Sequence, residues 1–498
     1  MSRPPRAMRL LDCSRAAALS AAPLDLRCAP ADLLEALCQA DQPVLLDSSA
    51  AHDSFGRYCV LTCCPLEVLT LAGGKLTTAD GTVQAEGADQ LWAALRRAFA
   101  AVRLEERADA CAEAAPPYGP GWFGYLGYEL GRCVERLPGR APRDTPLGDL
   151  RLGFHDAALV YDGAAGRWWL MELKFADPPA GAGLAADALR RIAAAGETST
   201  SPHATAAAAC GAPATPVGVE SDFTPGDYRR AVGRCMEYIA AGDIFQVNLS
   251  QRFTLSDQPQ PADIYRCLRH RNPAWYAAYL AFQAGGQACA VLSSSPELFL
   301  RVRGGHVTTR PIKGTRPRVG NADADRAAAA ELLASPKDNA ELAMIIDLLR
   351  NDLGRVCRFG SVRVAEPRRL EEHPTVLHLV GTVEGVLRGD VGPSELLRAT
   401  LPGGSITGAP KIRAMEIIDE LEPVARGVYT GCIGWVGVNG DAEWNIAIRT
   451  IVCVGDRACV QVGGGIVADS TPQGEYDETL DKARALLEAL AEAQRRKA

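Results

Sequence analysis

Near the C-terminus two β-prone runs, Trp444 to Val454 and Ala458 to Val462, lead into Gly463-Gly464-Gly465 and then into a helix opening at Ser470-Thr471-Pro472. Tyr476, Leu480, Ala483, Leu487 and Leu490 recur there at helical spacing, so a sheet and an apolar helix face must be buried together. The same pairing occurs upstream. Ser335 is a capping residue, Pro336 suits the first helical position, and Asp338 supplies an acidic third residue. Leu342, Ile345, Ile346 and Leu349 form the apolar face of that helix, and Gly354 stands where it should stop. Cys432 to Val438 adds another strand. A mixed α/β or α+β fold with a large sheet follows.

The first part of the chain reads as short strands, at Val44 to Leu46, Tyr58 to Thr62, Ala158 to Tyr161 and Trp168 to Leu173. Glycines alternate with aromatics over 116–132, where close approach between strands is one reading and a ligand loop another. Residues 195–218 show no period and consist of small and polar residues, which marks a flexible linker or surface excursion over 191–220. It separates an N-terminal region, 1–190, from a C-terminal region, 221–492. With 498 residues the chain exceeds one ordinary core, so either two domains or one enlarged body is expected.

Composition removes several function classes. Lys+Arg 53 against Asp+Glu 60 gives a net charge of −7, with no basic surplus for nucleic acid. No apolar run approaches the roughly 18 residues a membrane helix needs. The 16 cysteines are scattered and lack zinc-type spacing, which fits small buried hydrophobes in a reducing, cytoplasmic compartment. An Ala/Leu stretch at 16–24 follows arginines, but Asp12 and Arg15 interrupt it and its apolar core is short for a signal peptide, so a cytoplasmic protein is expected, with a transit-like leader as the alternative.

Three segments could carry chemistry. Glu475, Glu478 and Lys482 share one helix face, which describes either a solvated charged surface or, beside the glycine triplet, a ligand site. With Asp338 and Glu341 of the earlier helix, these carboxylates could form an oxygen cage for Mg²⁺ if the fold brings them together. Lys313 sits in the Pro-bounded run Arg310 to Arg318, either in a basic surface loop or as a nucleophile made reactive by neighbouring arginines or desolvation. The stretch Pro402 to Lys411 has P-loop-like glycines, but Ala409-Pro410 stands where Lys-Ser/Thr is required, so an ATP site is excluded. A glycine-rich turn entering a helix still suits a carboxylate or hydroxyl ligand.

Taken in order, these motifs resemble the chorismate-utilising enzymes, and among them the synthase component of aminodeoxychorismate synthases. They are GDIFQVNLSQR (242–252), SSSPELF (293–299), RPIKGTRPR (310–318), ELAMIIDLLRNDLGRV (341–356), HLVGTVEG (378–385), GGSITGAPKIRAMEIIDELEP (403–423), WNIAIRT (444–450) and GGGIVADSTPQGEYDETLDKA (463–483). The resemblance is strong over 222–492 and weaker before it. It implies an α+β fold, a large two-sheet sandwich in which the N-terminal strands join the catalytic region.

The same resemblance implies site roles. Lys313 would attack chorismate at C2 as the C4 hydroxyl leaves, and ammonia would then enter at C4 and expel it, giving 4-amino-4-deoxychorismate. Anthranilate synthases usually carry Ala at the position of Lys313. Isochorismate-forming relatives carry a lysine base where Gln246 stands, and a glutamine cannot deprotonate water. Glu297 would be the general acid/base, and Glu341, Glu475 and Glu478 would hold Mg²⁺, with Asp338 as an outer-shell residue. Arg449 and Tyr429 would receive the enolpyruvyl carboxylate beside the Gly463 and Gly465 backbones. Thr315, His378, Ser405 and Lys482 would line the pocket, although a packed core histidine is the alternative reading of His378. Ser48, Arg57 and Tyr58 fall near a tryptophan pocket of some relatives, with Trp275 replacing a proline common there. No Cys-nucleophile glutaminase segment is seen, so ammonia is expected from a separate glutamine amidotransferase subunit or from solution. Two other readings remain: an anthranilate-forming enzyme, and a non-catalytic subunit that activates a glutaminase.

Overall fold

The structure, a computed structural model, describes residues 10–50, 55–105, 115–198, 216–373 and 376–497. Two sheets of thirteen and twelve strands form the body, with helices packed around them. N-terminal strands enter both sheets. Val44–Asp47 pairs with Tyr276–Ala284 in the larger sheet, and Gly121–Leu126 pairs with Cys432–Gly437 in the smaller. The enlarged body is therefore the one built, as an α+β sandwich. No helix among the described residues is long and apolar enough to cross a membrane, and every described cysteine is a free thiol.

The 191–220 segment is ordered at both of its ends. Helix Leu184–Thr198 extends into it, burying Ala185, Leu189, Ile192 and Ala193, and Val219–Ser221 pairs antiparallel with the end of Gln246–Leu255. The alanines of that helix carry too little apolar volume to give a clear period in the sequence. Residues 199–215 lie outside the described residues.

Helix Pro336–Gly354 forms as its cap predicts, with Ser335 Oγ accepting from Asp338 N at 3.2 Å and Leu342, Ile345, Ile346 and Leu349 buried. Two expectations change. The Lys313 segment is a strand, Ile312–Pro317, and not a loop; it pairs with Val376–Val386 and carries a register shift between Lys313 and Thr315. Gly314 makes that bulge at φ +76, packed so tightly that a Cβ would stand 3.0 Å from Asp338 Cβ. The glycine triplet likewise lies inside a strand, Arg457–Ile466, and not after it.

The run Trp444 to Val454 is two strands. Ala442–Asn445 belongs to the smaller sheet and Thr450–Val454 to the larger, so Ile446 to Arg449 crosses between them. Arg449 makes the turn at φ +49, a conformation that costs a non-glycine residue roughly 1 kcal/mol. Its carbonyl is held by Ser294 N at 3.0 Å.

Candidate active site

The site lies where the glycine strand Arg457–Ile466, the Lys313 strand and helices Pro336–Gly354 and Pro472–Lys497 meet. Successive glycines of a strand face opposite sides. A side chain at Gly464 would begin 2.9 Å from Glu475 Oε2 and 3.6 Å from Glu478 Oε1. One at Gly465 would begin 3.4 Å from Lys313 Nζ and closer still to Gln246 Nε2. The bare backbone thus lets two carboxylates close in from one face and an amine from the other.

Lys313 Nζ stands 3.6 Å from Glu341 Oε2, and both side chains are mostly buried. Glu297 is buried and accepts from Ser405 Oγ at 2.7 Å. Burial pushes its carboxyl up to about 7, although the Ser405 hydrogen bond and the Lys313 charge pull the other way. A carboxyl placed there can give up or take a proton near neutral pH.

The acidic helix face divides. Glu475 Oε1 accepts from Ser470 Oγ at 2.5 Å, while its Oε2 is buried without a hydrogen-bond partner. Burial, followed by the neighbouring Glu478, raises Glu475. Partial desolvation acts in the same direction on Glu478, whose side chain is half-exposed, but Lys482, at 2.6 Å, with Lys337 and Lys313 holds it below the usual carboxylate range. Lys482 Nζ also donates to Gly463 O at 2.9 Å. Among the described residues no three His, Cys, Asp or Glu side chains are gathered as a metal cage. Glu341 and Glu478 are each turned to a lysine. The donor set nevertheless fits a hard cation, because Glu475 Oε2 is an orphaned acceptor facing the gap at Gly464.

On the opposite flank, Thr315 Oγ1 lies 2.9 Å from His378 Nδ1, and His378 Nε2 is buried without a partner. Burial, the nearby His373 and Arg449 drive the His378 imidazole well below its ordinary value, so it is neutral. Arg449 NH1 donates to Asn272 Oδ1 at 3.0 Å, leaving the rest of its fork available to a carboxylate. Tyr429 is buried against Arg426, whose guanidinium lies 5.8 Å from its ring. Asp338 is bound by Arg316 at 3.1 Å.

Ser48, Arg57 and Tyr58 are engaged by the protein itself. Ser48 Oγ donates to the carbonyls of Tyr58 and Trp275 at 2.9 and 3.0 Å, and Arg57 forms two bonds to Asp162. Trp275 stacks on Phe55 with ring centroids 6.2 Å apart.

Two residues at the site have no role assigned from the sequence, Asn248 inside the 242–252 motif and Arg426 outside every motif. Asn248 follows Gln246 on the same strand face, and the side-chain oxygens of both are buried and unpartnered. Arg426 pairs with Glu422 and donates to Ile406 O and Asn248 O, tying three site segments together. Two buried amide oxygens on alternating positions could have been noticed in QVN; Arg426 could not.

The profile of the chorismate binding enzyme family matches residues 65–488. The chain is 40% identical over 461 residues to an anthranilate synthase component 1 of Pseudomonas putida, covering 91% of this chain and 92% of that one. It is 38% identical over 448 residues to an aminodeoxychorismate synthase component 1 of Klebsiella aerogenes, covering 90% and 93%. The crystal structure of anthranilate synthase component I from Streptococcus pneumoniae superposes with a TM-score of 0.73 at 30% identity, over 88% of this chain and 93% of that one. The chain belongs to the chorismate binding enzyme family.

Proposed function

We propose that the chain converts chorismate and ammonia to 4-amino-4-deoxychorismate through a covalent intermediate on Lys313. The observation that carries this reading is the amine itself: Lys313 Nζ faces the bare backbone of Gly465, 3.6 Å from Glu341 Oε2. In the first step the lysine nitrogen bonds to C2, the ring double bonds shift, and the C4–O bond breaks with Glu297 supplying the proton for water. Ammonia then bonds to C4, the double bonds shift back, and the C2–N bond breaks to release Lys313 as the neutral amine, while the proton shed by the new C4 ammonium restores Glu297. The net change is hydroxyl for amine with release of one water.

Arg449 binds the enolpyruvyl carboxylate in this reading, with Tyr429 beside it, and Ser405, Thr315, His378 and Lys482 line the ring pocket. Glu341, Glu475 and Glu478 would hold Mg²⁺, which neutralises part of their charge beside a dianionic substrate. Ammonia would come from a separate glutamine amidotransferase subunit. The similarity to anthranilate synthase relatives supports a second reading, in which ammonia addition ends in anthranilate.

The products separate the two. Purified chain with chorismate, Mg²⁺ and ammonium should give no fluorescent anthranilate, and should release 4-aminobenzoate once an aminodeoxychorismate lyase is added. Intact-mass spectra taken with chorismate alone should show an adduct that maps to Lys313. Anthranilate as the main product, with no adduct, would overturn the proposal.

A further inference from the structure

Beside the pocket lies a buried row that the reaction above does not use. Glu371, on strand Arg363–Glu372, is paired across the sheet with His378 on strand Val376–Val386, and Thr315 faces His378 from the other side. His373 follows that first strand. Its ring is T-shaped against His378, with centroids 5.1 Å apart, and its other neighbour is the Trp275 ring at 4.4 Å. Both imidazoles are 3% exposed.

Each partner is braced in turn. Glu371 Oε2 lies 3.8 Å from His373 Nε2, an electrostatic contact longer than a hydrogen bond, and Arg310, buried as well, binds the other carboxylate oxygen. Arg310 is itself held by Thr382 Oγ1 at 3.3 Å and lies 3.8 Å over the Phe55 ring. A buried ion pair of this kind is weak support for stability, because desolvation offsets the attraction. It does fix geometry. The chain Arg310, Glu371, His373 ends T-shaped against the imidazole of His378, whose Nε2 has no hydrogen-bond partner among the described residues.

We infer that His373, held by Glu371 and Arg310, is a positioning residue that fixes the ring of His378 so that its Nε2 meets the hydroxylated ring of the substrate. The inference rests on the proposed reaction for the identity of that substrate. Among the described residues His378 is gripped on its Nδ1 side by Thr315 Oγ1 and the Gly314 backbone, two contacts at one edge of the ring that leave the Nε2 edge to be set by its packing. The T-shaped packing of His373 supplies it. The groups bearing on His378 are Thr315 from its own sheet, His373 with Glu371 behind it, and Arg449 from the crossing segment. Misplacing a pocket group by a fraction of an ångström lowers turnover more than it lowers binding, since orientation counts most at the reacting geometry.

The test is a double-mutant cycle on the full chain, using His373→Gln, His378→Ala and the pair, with chorismate and ammonium as substrates. His373→Gln should lower kcat by about 10- to 100-fold while changing the KM for chorismate by less than about threefold. In the His378→Ala background it should have no further effect, because the ring it positions is gone. His373→Ala, which keeps no polar group for Glu371, should be worse than His373→Gln. Thermal unfolding of each variant identifies loss of fold, and a His373→Gln variant that folds yet keeps wild-type kcat overturns the inference. Fully multiplicative effects of the two single changes would overturn it as well. The identity of the product tests the proposed reaction separately, since the cycle can be read on whichever product is made.

Discussion

Ser405 Oγ donates a 2.7 Å hydrogen bond to Glu297 Oε1, a carboxyl that burial has raised to about 7. The bond favours the ionised form, so it opposes the burial that keeps the proton on. If Glu297 protonates the leaving hydroxyl, its ionisation lowers kcat as pH rises through about 7. Ser405→Ala removes the opposing bond, and the alkaline limb should move upward by about one unit or less. Initial rates at fixed free ammonia across this range measure it. A limb that stays where it was would assign the titration to another group.

The same carboxyl costs stability at high pH. A folded-state value raised from 4.5 to about 7 means that the native chain holds the proton more tightly than the unfolded one. That contribution favours the fold below the ordinary value and is lost as pH rises through about 7. Its full size corresponds to about 3 kcal/mol. Glu297→Gln, which cannot ionise, should match the wild type in urea unfolding at pH about 4 and exceed it at pH about 8. Equal gains at both pH values would contradict a buried carboxylate.

Lys313→Ala should abolish the chorismate adduct in intact-mass spectra and lower aminodeoxychorismate formation by on the order of 10³-fold or more. Among the described residues the side chain has one ion-pair partner, Glu341 at 3.6 Å, and it belongs to no hydrophobic core cluster. Its removal should therefore shift thermal unfolding little. Lys313→Arg keeps the charge but lacks an amine that can be neutral, and it should be as inactive as Lys313→Ala. Retained synthesis by either variant would rule out the covalent route.

Much of the site was readable because its residues lie close in sequence. Glu475, Glu478 and Lys482 share a helix face by spacing alone, and the Ser335 cap places Glu341 on the first turns of its helix. The meeting of these faces with Lys313 came only through the resemblance, since no local period reports a contact across two sheets. Trp444 to Val454 reads as one strand because a β-prone run does not record a change of sheet; the crossing at Arg449 shows only in its backbone angle. Lys313 reads as a loop residue because prolines flank it, yet edge positions tolerate proline and the segment pairs on one side with Val376–Val386. His373, Asn272 and Arg426 were invisible for a different reason. Each is an ordinary residue in its own segment and gains a role only from a partner brought in by the fold.

Gly464 is predicted to be a metal-affinity position. A Cβ there would lie 2.9 Å from Glu475 Oε2 and 3.6 Å from Glu478 Oε1, closer to the first than side-chain carbons normally come. Gly464→Ala would push the Glu475 carboxylate outward without touching Lys313, which faces Gly465. The expected result is about a tenfold or greater rise in the Mg²⁺ concentration giving half-maximal activity. At saturating Mg²⁺ much of the rate should return. Direct binding of Mg²⁺ by calorimetry, in the absence of chorismate, gives the same comparison without turnover. An unchanged Mg²⁺ requirement would remove Glu475 from the ligand set.

Arg426 should prove to be the buried post of the site. Its guanidinium is 1% exposed and bonds to both oxygens of Glu422, to Ile406 O at 3.0 Å and to Asn248 O at 2.8 Å. Glu422 in turn receives Ser250 N and Oγ at 2.8 and 2.7 Å. Removing one member strands a buried charge, which costs about 3–5 kcal/mol, whereas replacing both with apolar residues can be close to neutral. Arg426→Met should therefore destabilise strongly, and Glu422→Leu with Arg426→Met should recover a large part of the loss in urea unfolding. Activity should not recover with it. The double variant still lacks the donors that hold Ile406 and Asn248, so the turn carrying Ser405 and the strand carrying Gln246 lose their common anchor. A double variant that regains both stability and turnover would show that the pair only fills space.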